Sequence, residues 1–91
     1  MENEVLKQWD DLINSNPNYA EAYYHRGAAK SDIKDYIGAI QDFTKAIELR
    51  NGETPLSSLM HAFSCYRRGL SKDALKDPQG AIEDFTKAIN I

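Results

Sequence analysis

Gly38-Ala39-Ile40-Gln41-Asp42-Phe43-Thr44-Lys45-Ala46-Ile47 recurs as Gly80-Ala81-Ile82-Glu83-Asp84-Phe85-Thr86-Lys87-Ala88-Ile89, with Gln41 replaced by Glu83 as the single change. A near-duplication inside 91 residues makes the chain an array of one unit, so the period of that unit governs every other reading. The copies begin 42 residues apart, at Gly38 and Gly80. Ile40, Phe43 and Ile47, with the small Ala39 and Ala46, mark one apolar stripe at helical spacing.

The remaining segments are helical as well. Val5, Leu6, Trp9, Leu12 and Ile13 give a helix over Glu2 to Ser15, which Asn16-Pro17-Asn18 stops. Asn18 is the expected cap of a second helix, Tyr19 to Ile33, with Glu21 completing a capping box. Lys34-Asp35 turns the chain tightly, and Asp35 caps a third helix, Tyr36 to Arg50, that contains the first copy. Asn51-Gly52 ends it, and Thr54-Pro55 restarts the chain as N-cap and first-turn proline. The fourth helix runs from Pro55 to Lys76 and carries a stripe through Leu56, Leu59, Met60, Phe63, Tyr66, Leu70 and Ala74. Asp77-Pro78 opens a fifth that reaches Ile91. No stretch alternates with period two, so the fold class is all-α: five helices joined by short turns.

Bulk properties narrow the functions. A chain this short buries roughly 60 to 65% of its unfolded surface, a thin core around which a deep catalytic pocket is hard to build. Net charge is −3 and the charged residues, 27% of the chain, mix both signs, so no basic face tracks a phosphate backbone and no nucleic acid is expected. The single cysteine, Cys65, reads as a small buried hydrophobe in reducing surroundings. No basic segment precedes an apolar core at the start and no apolar run approaches 18 residues, so neither export nor membrane spanning is supported and a cytoplasmic setting is expected. His25 and His61 lack carboxylates or cysteines at metal-ligand spacing, and Gly38 and Gly80 fall in the first turn of a helix instead of between strand and helix. Asp10-Asp11 and Asp32/Asp35 read as helix-surface and capping groups. No catalytic residue, metal or cofactor is expected, and the chain reads as a non-enzyme.

In each unit a glycine precedes a phenylalanine by sixteen residues, Gly27 before Phe43 and Gly69 before Phe85. Such glycines allow two antiparallel helices to approach opposite Ala39 and Ala81, while the phenylalanines fill the remaining space. With these positions the sequence resembles the tetratricopeptide repeat family, through Tyr23, Gly27, Tyr36, Ala39, Phe43 and Ala46 in one unit and Cys65, Gly69, Ala81, Phe85 and Ala88 in the next. Val5, Trp9, Leu12 and Pro17 sit where the family has its helix B residues and closing proline. The resemblance implies a right-handed array of antiparallel helix-turn-helix units with a 34-residue period. Residues 1–16 would be helix B of a partial repeat, 18–50 a first full repeat, and 54–91 a second whose helix A is extended at its N-terminus.

The sequence departs from the family pattern at four places. Phe43 and Gly69 stand 26 residues apart where the family has 18, which lengthens the fourth helix by about two turns, roughly 12 Å. That extension is either a plain long helix or a projecting contact surface. Arg26 and Arg68 replace a large apolar residue, and Asp42 and Asp84 on the partner helices suit them for ion pairs within each repeat. Lys30 and Lys72 replace an aromatic, which suggests a solvated end to helix A. Past the last helix, Ile82, Phe85 and Ile89 would have one flank open, to be covered by further chain or by another copy.

The resemblance further implies a protein-protein interaction module that binds a peptide or partner protein on a concave helix A face. Its groove would be lined by Glu21, Tyr24, Ala28 and Ser31 and by Phe63, Tyr66, Leu70 and Asp73, with Tyr24 and Tyr66 one repeat apart as rigid contacts, unless they pack between neighbouring helices. A subclass of the family clamps a C-terminal carboxylate with lysine, arginine and asparagine. Tyr24, Ala28, Tyr66 and Leu70 stand at those positions, so that clamp is not expected. The rival reading is a structural module that forms a homo-oligomer, in the simplest case a homodimer, through Leu56, Leu59, Met60, Phe63, Ile82, Phe85 and Ile89.

Overall fold

Short turns set the architecture. The computed structural model describes residues 3–49 and 55–90, and within them five helices follow one another: α1 (Glu4–Ser15), α2 (Ala20–Asp32), α3 (Tyr36–Glu48), α4 (Pro55–Ala74) and α5 (Pro78–Ile89). No strand occurs among the described residues, and no helix there is long and apolar enough to cross a membrane. Each helix packs on the next, and α2 also touches α4. With turns this short, consecutive helices must double back on each other, and the hairpins then stack side by side. The resulting slab has Cα extents of 34 × 32 × 14 Å.

The corners after α2 and α4 are built identically. Asp35 N–H donates to the Lys30 carbonyl at 2.8 Å and Lys34 N–H to the Ser31 carbonyl at 3.0 Å; Asp77 to Lys72 and Lys76 to Asp73 repeat this at 2.9 Å each. This pair of bonds is a Schellman closure, and its penultimate residue must be left-handed. Lys34 (φ 66) and Lys76 (φ 64) take that conformation although neither is glycine. Asp35 and Asp77 then cap the next helix by accepting from the Gly38 and Gly80 N–H groups at 3.1 and 3.0 Å.

The corner after α1 differs from the expectation. Tyr19 is the N-cap of α2 and no side chain caps that helix, so the capping box of Asn18 and Glu21 is not formed. Tyr19 N–H closes a turn onto the Asn16 carbonyl at 3.1 Å, which places Pro17 and Asn18 at its centre. Glu21 accepts instead from the Tyr19 hydroxyl at 3.3 Å, and the Tyr23 hydroxyl donates to the Pro17 carbonyl at 2.9 Å. Asn3 caps α1 through the Val5 and Leu6 N–H groups. Helices α3 and α4 end earlier than expected, at Glu48 and Ala74. The stop at Asn51-Gly52, the cap at Thr54, the side chain of Leu56 and Ile91 lie outside the described residues.

Ile13, Ala22, Tyr23 and Ala46 form a buried cluster against which Trp9, Tyr24 and Leu49 pack. Phe43 and Ala39 are fully buried beside it. Gly27 and Gly69 face the Phe43 and Phe85 rings more directly than the alanines across from them, so each glycine is a socket for a phenylalanine. Helix α4 is 20 residues long against 13 for α2, a difference of about 10 Å in length.

Candidate functional site

Helices α2 and α4 present their outer faces side by side. On α4, Phe63, Tyr66 and Leu70 recur at helical spacing and are 48, 48 and 44% exposed. On α2, Glu21, Tyr24, Ala28 and Ser31 are half-buried, and Asp73 on α4 is exposed. Both tyrosines lean on the phenylalanine of their own hairpin, Tyr24 on Phe43 with ring centres 5.8 Å apart and Tyr66 on Phe85 at 5.7 Å. One ring face is thereby anchored, and little rotamer freedom remains to be lost when the other face is covered. His25 is also packed: it stacks on Trp9 of α1 at 4.8 Å and meets Tyr24 edge-on at 5.3 Å.

The eight expected groove residues do not line one cavity. Phe63 and Tyr66 join Ala62, Phe85, Ala88 and Ile89 around an apolar groove of about 440 Å³ between α4 and α5. Ser31 and Leu70 belong to a separate notch of about 200 Å³ with Tyr36, Arg67, Ser71 and Ala74. Ile89 of the groove is 82% exposed, and beyond the groove Ile82 is 59% and Leu59 on the α4 extension 52% exposed. Met60 is half-buried.

Behind this face, Asp42 and Asp84 are buried in ion pairs. Arg26 grips Asp42 in a fork, Nε to Oδ2 at 2.8 Å and Nη2 to Oδ1 at 2.7 Å. Arg68 holds Asp84 the same way, at 2.9 and 2.7 Å. Both carboxylates are buried, and each has a second cation: Lys30 Nζ lies 3.1 Å from Asp42 and Lys72 Nζ 3.0 Å from Asp84. The lysine side chains are only 21 and 23% exposed, which corrects the expectation that this end of helix A is solvated. A buried carboxylate needs its lone pairs occupied, and one arginine leaves room for another donor.

The third donor of each arginine reaches the hairpin before. Arg26 Nη1 donates to Asp10 Oδ1 at 2.9 Å and Arg68 Nη1 to Thr44 Oγ1 at 3.1 Å. Asp10 is therefore an inter-unit partner as well as a surface group. Burial raises the Asp84 carboxyl, but hydrogen bonds from Arg68 and Lys72 and their charges outweigh it, so its pKa lies below the ordinary carboxylate value. The Asp42 hydrogen bond leads in holding Arg26 above its usual range, and Asp84 does the same for Arg68. With each guanidinium nitrogen directed at a protein acceptor, these arginines brace the scaffold that sets α2 beside α4. Burial pushes the Cys65 thiol up.

A family model described as "Tetratricopeptide repeat" matches residues 20–52 and 64–91. The second match begins within α4 and leaves Pro55 to Phe63 outside it. RNA polymerase II-associated protein 3 of Xenopus tropicalis is 53% identical over 34 residues, a stretch that covers 37% of this chain and 5% of that protein. The likeness is thus confined to a small fraction of that relative and to about one repeat length here.

Proposed function

The chain belongs to the tetratricopeptide repeat family, and we propose that it binds an extended or helical peptide of a partner protein across the outer faces of α2 and α4. Glu21, Tyr24, Ala28 and Ser31 line one side of this face, and Phe63, Tyr66, Leu70 and Asp73 the other. The observation that carries the reading is the half-exposed row of Phe63, Tyr66 and Leu70 beside an apolar groove. Contiguous apolar surface of this kind, with rings already anchored on one side, suits a partner's side chains. The frog relative is named for association with RNA polymerase II; a match to 5% of it supports a protein-binding role and no particular partner. Selection from a displayed peptide library, followed by calorimetry on Tyr24→Ala and Tyr66→Ala, tests the face. Each variant is expected to weaken the selected peptides about tenfold or more, as truncated interface aromatics do. Selected peptides that bind both variants at full affinity, with helicity unchanged, would refute it.

A second reading rests on the exposure of Leu59, Ile82 and Ile89. These residues could pair with another copy, and sedimentation equilibrium over a wide concentration range decides it. A concentration-independent monomer removes this reading, whereas a tight dimer that protects Tyr66 displaces the peptide-binding one.

A further inference from the structure

The notch between the two repeats differs from the rest of the array. Four residues with hydrogen-bonding side chains, Ser31, Tyr36, Arg67 and Ser71, line its space of about 200 Å³ together with the apolar Leu70 and Ala74. Ser31 already donates to the Ala28 carbonyl at 2.8 Å, so its hydroxyl hydrogen is engaged. Among the described residues Arg67 has no carboxylate partner and no hydrogen bond, whereas Arg26 and Arg68 are each held by three donor contacts. Tyr36 and Ser71 likewise have no hydrogen-bond partner, although Ser71 is only 2% exposed.

Repetition does not account for these residues. The positions of Arg67 and Ser71 are held one unit earlier by His25, stacked on Trp9, and by Ala29. The equivalent hairpin therefore packs without a cation or a hydroxyl there. No acidic residue belongs to the lining of the notch, and no carboxylate among the described residues lies within ion-pair distance of Arg67.

We infer that the notch binds a phosphate group, carried on a phosphorylated side chain of the peptide that lies across α2 and α4. The identity of the carrier rests on the peptide-binding reading above; the affinity of the notch for phosphate does not. A guanidinium beside two hydroxyl-bearing residues, Tyr36 of α3 and Ser71 of α4, suits an oxyanion with three terminal oxygens better than a planar carboxylate. Arg67 supplies the charge, and Ser71, the more deeply set, supplies direction.

Inorganic phosphate is the probe, titrated into the protein with the amide and arginine Nε–H resonances followed by NMR at constant ionic strength. Saturable shifts of Arg67 Nε–H and of the Ser71 and Tyr36 amides are expected, with acetate weaker and chloride without effect. Arg67→Gln should weaken phosphate about tenfold or more, and Ser71→Ala, which restores the residue found at Ala29, about threefold or more. Tyr24→Ala should leave the phosphate shifts intact, so loss of peptide binding and loss of phosphate binding are separable. The inference is overturned if the shifts are linear, if chloride reproduces them, if Arg67→Gln retains them, or if acetate binds as tightly as phosphate, which would make the notch a carboxylate site.

Discussion

Alanine placed at Gly27 and at Gly69 makes the same chemical change at equivalent positions of the two hairpins, yet the structure gives the two substitutions different outcomes. Alanine is favoured over glycine inside a helix by about 1 kcal/mol. Against this, a Cβ at Gly27 would lie 2.9 and 3.0 Å from Phe43 Cε1 and Cδ1 and 3.2 Å from Asp42 Cβ. Phe43 is 0% exposed and Asp42 is held by Arg26 and Lys30, so neither neighbour can retreat. Overpacking of such a site costs roughly 1–3 kcal/mol; with the propensity gain of about 1 kcal/mol deducted, Gly27→Ala destabilises by up to about 2 kcal/mol. At Gly69 the first contacts are tighter, 2.7 and 2.9 Å to Phe85 Cε1 and Cδ1. Phe85, however, lines the open groove beside α5 and its ring has space of about 440 Å³ to turn into. Relief of the ring clash there leaves the Ala81 carbonyl oxygen, 3.2 Å from the added Cβ, as the remaining tight contact, so Gly69→Ala costs less than Gly27→Ala and lies within about 1 kcal/mol of neutral. Urea unfolding followed by circular dichroism measures both, with the denaturant slope checked for constancy. A Gly69→Ala cost equal to or above that of Gly27→Ala would refute the argument that the freedom of the neighbour, and not the initial distance, decides the energy.

Two further outcomes follow from buried polar groups. Ser64 is 0% exposed and its hydroxyl has no hydrogen-bond partner, whereas Ala22 fills the equivalent place one unit earlier; Ser64→Ala should therefore raise stability by about 1 kcal/mol in thermal unfolding, and a loss of stability would show that the hydroxyl is satisfied in solution. Because Asp84 has a pKa below its ordinary 3.8 when folded, its stabilisation is fully present above that value and is lost as pH falls through the lower folded value. Asp84→Asn should lower stability near neutral pH, by about 3 kcal/mol if Arg68 is left without a charge partner, and should flatten the acid limb of the stability curve below about pH 4. An acid limb as steep in Asp84→Asn as in the parent would assign that limb to other carboxylates.

The helical array was legible because two kinds of spacing coincided. The duplicated stretch marked one helix of each hairpin, and glycine sixteen residues before phenylalanine marked the other, a relation the structure explains as a ring seated against a glycine. The lysines were misread because each was considered alone, as a charge replacing an aromatic. Lys30 precedes Asp42 by twelve residues and Lys72 precedes Asp84 by twelve, each four positions after its arginine on the same helix face. Taken with the arginines, that doubled spacing points to two cations on one carboxylate. Asn18 was misread for a different reason. Capping-box letters describe a side-chain preference, while Asn16-Pro17 commits the backbone to a turn first, and the local geometry of proline prevails. The notch around Arg67 was invisible for a third reason: its groups come from three helices, and no spacing within one segment brings them together.

The three-way contacts of Arg26 and Arg68 also determine how the array melts. In a linear array, stability is the sum of what each unit contributes and what each junction adds, so cooperativity resides in the junctions. Here the two junctions carry different electrostatics. Arg26 meets the ionised Asp10, whose side chain is 52% exposed and open to screening, while Arg68 meets the neutral Thr44 hydroxyl. Raising ionic strength therefore loosens the attachment of α1 and leaves the α3–α4 junction nearly untouched. Salt thus weakens one contact that couples α1 to the array, while the Ile13, Ala22, Tyr23 and Ala46 cluster and the Trp9–His25 stack still hold it.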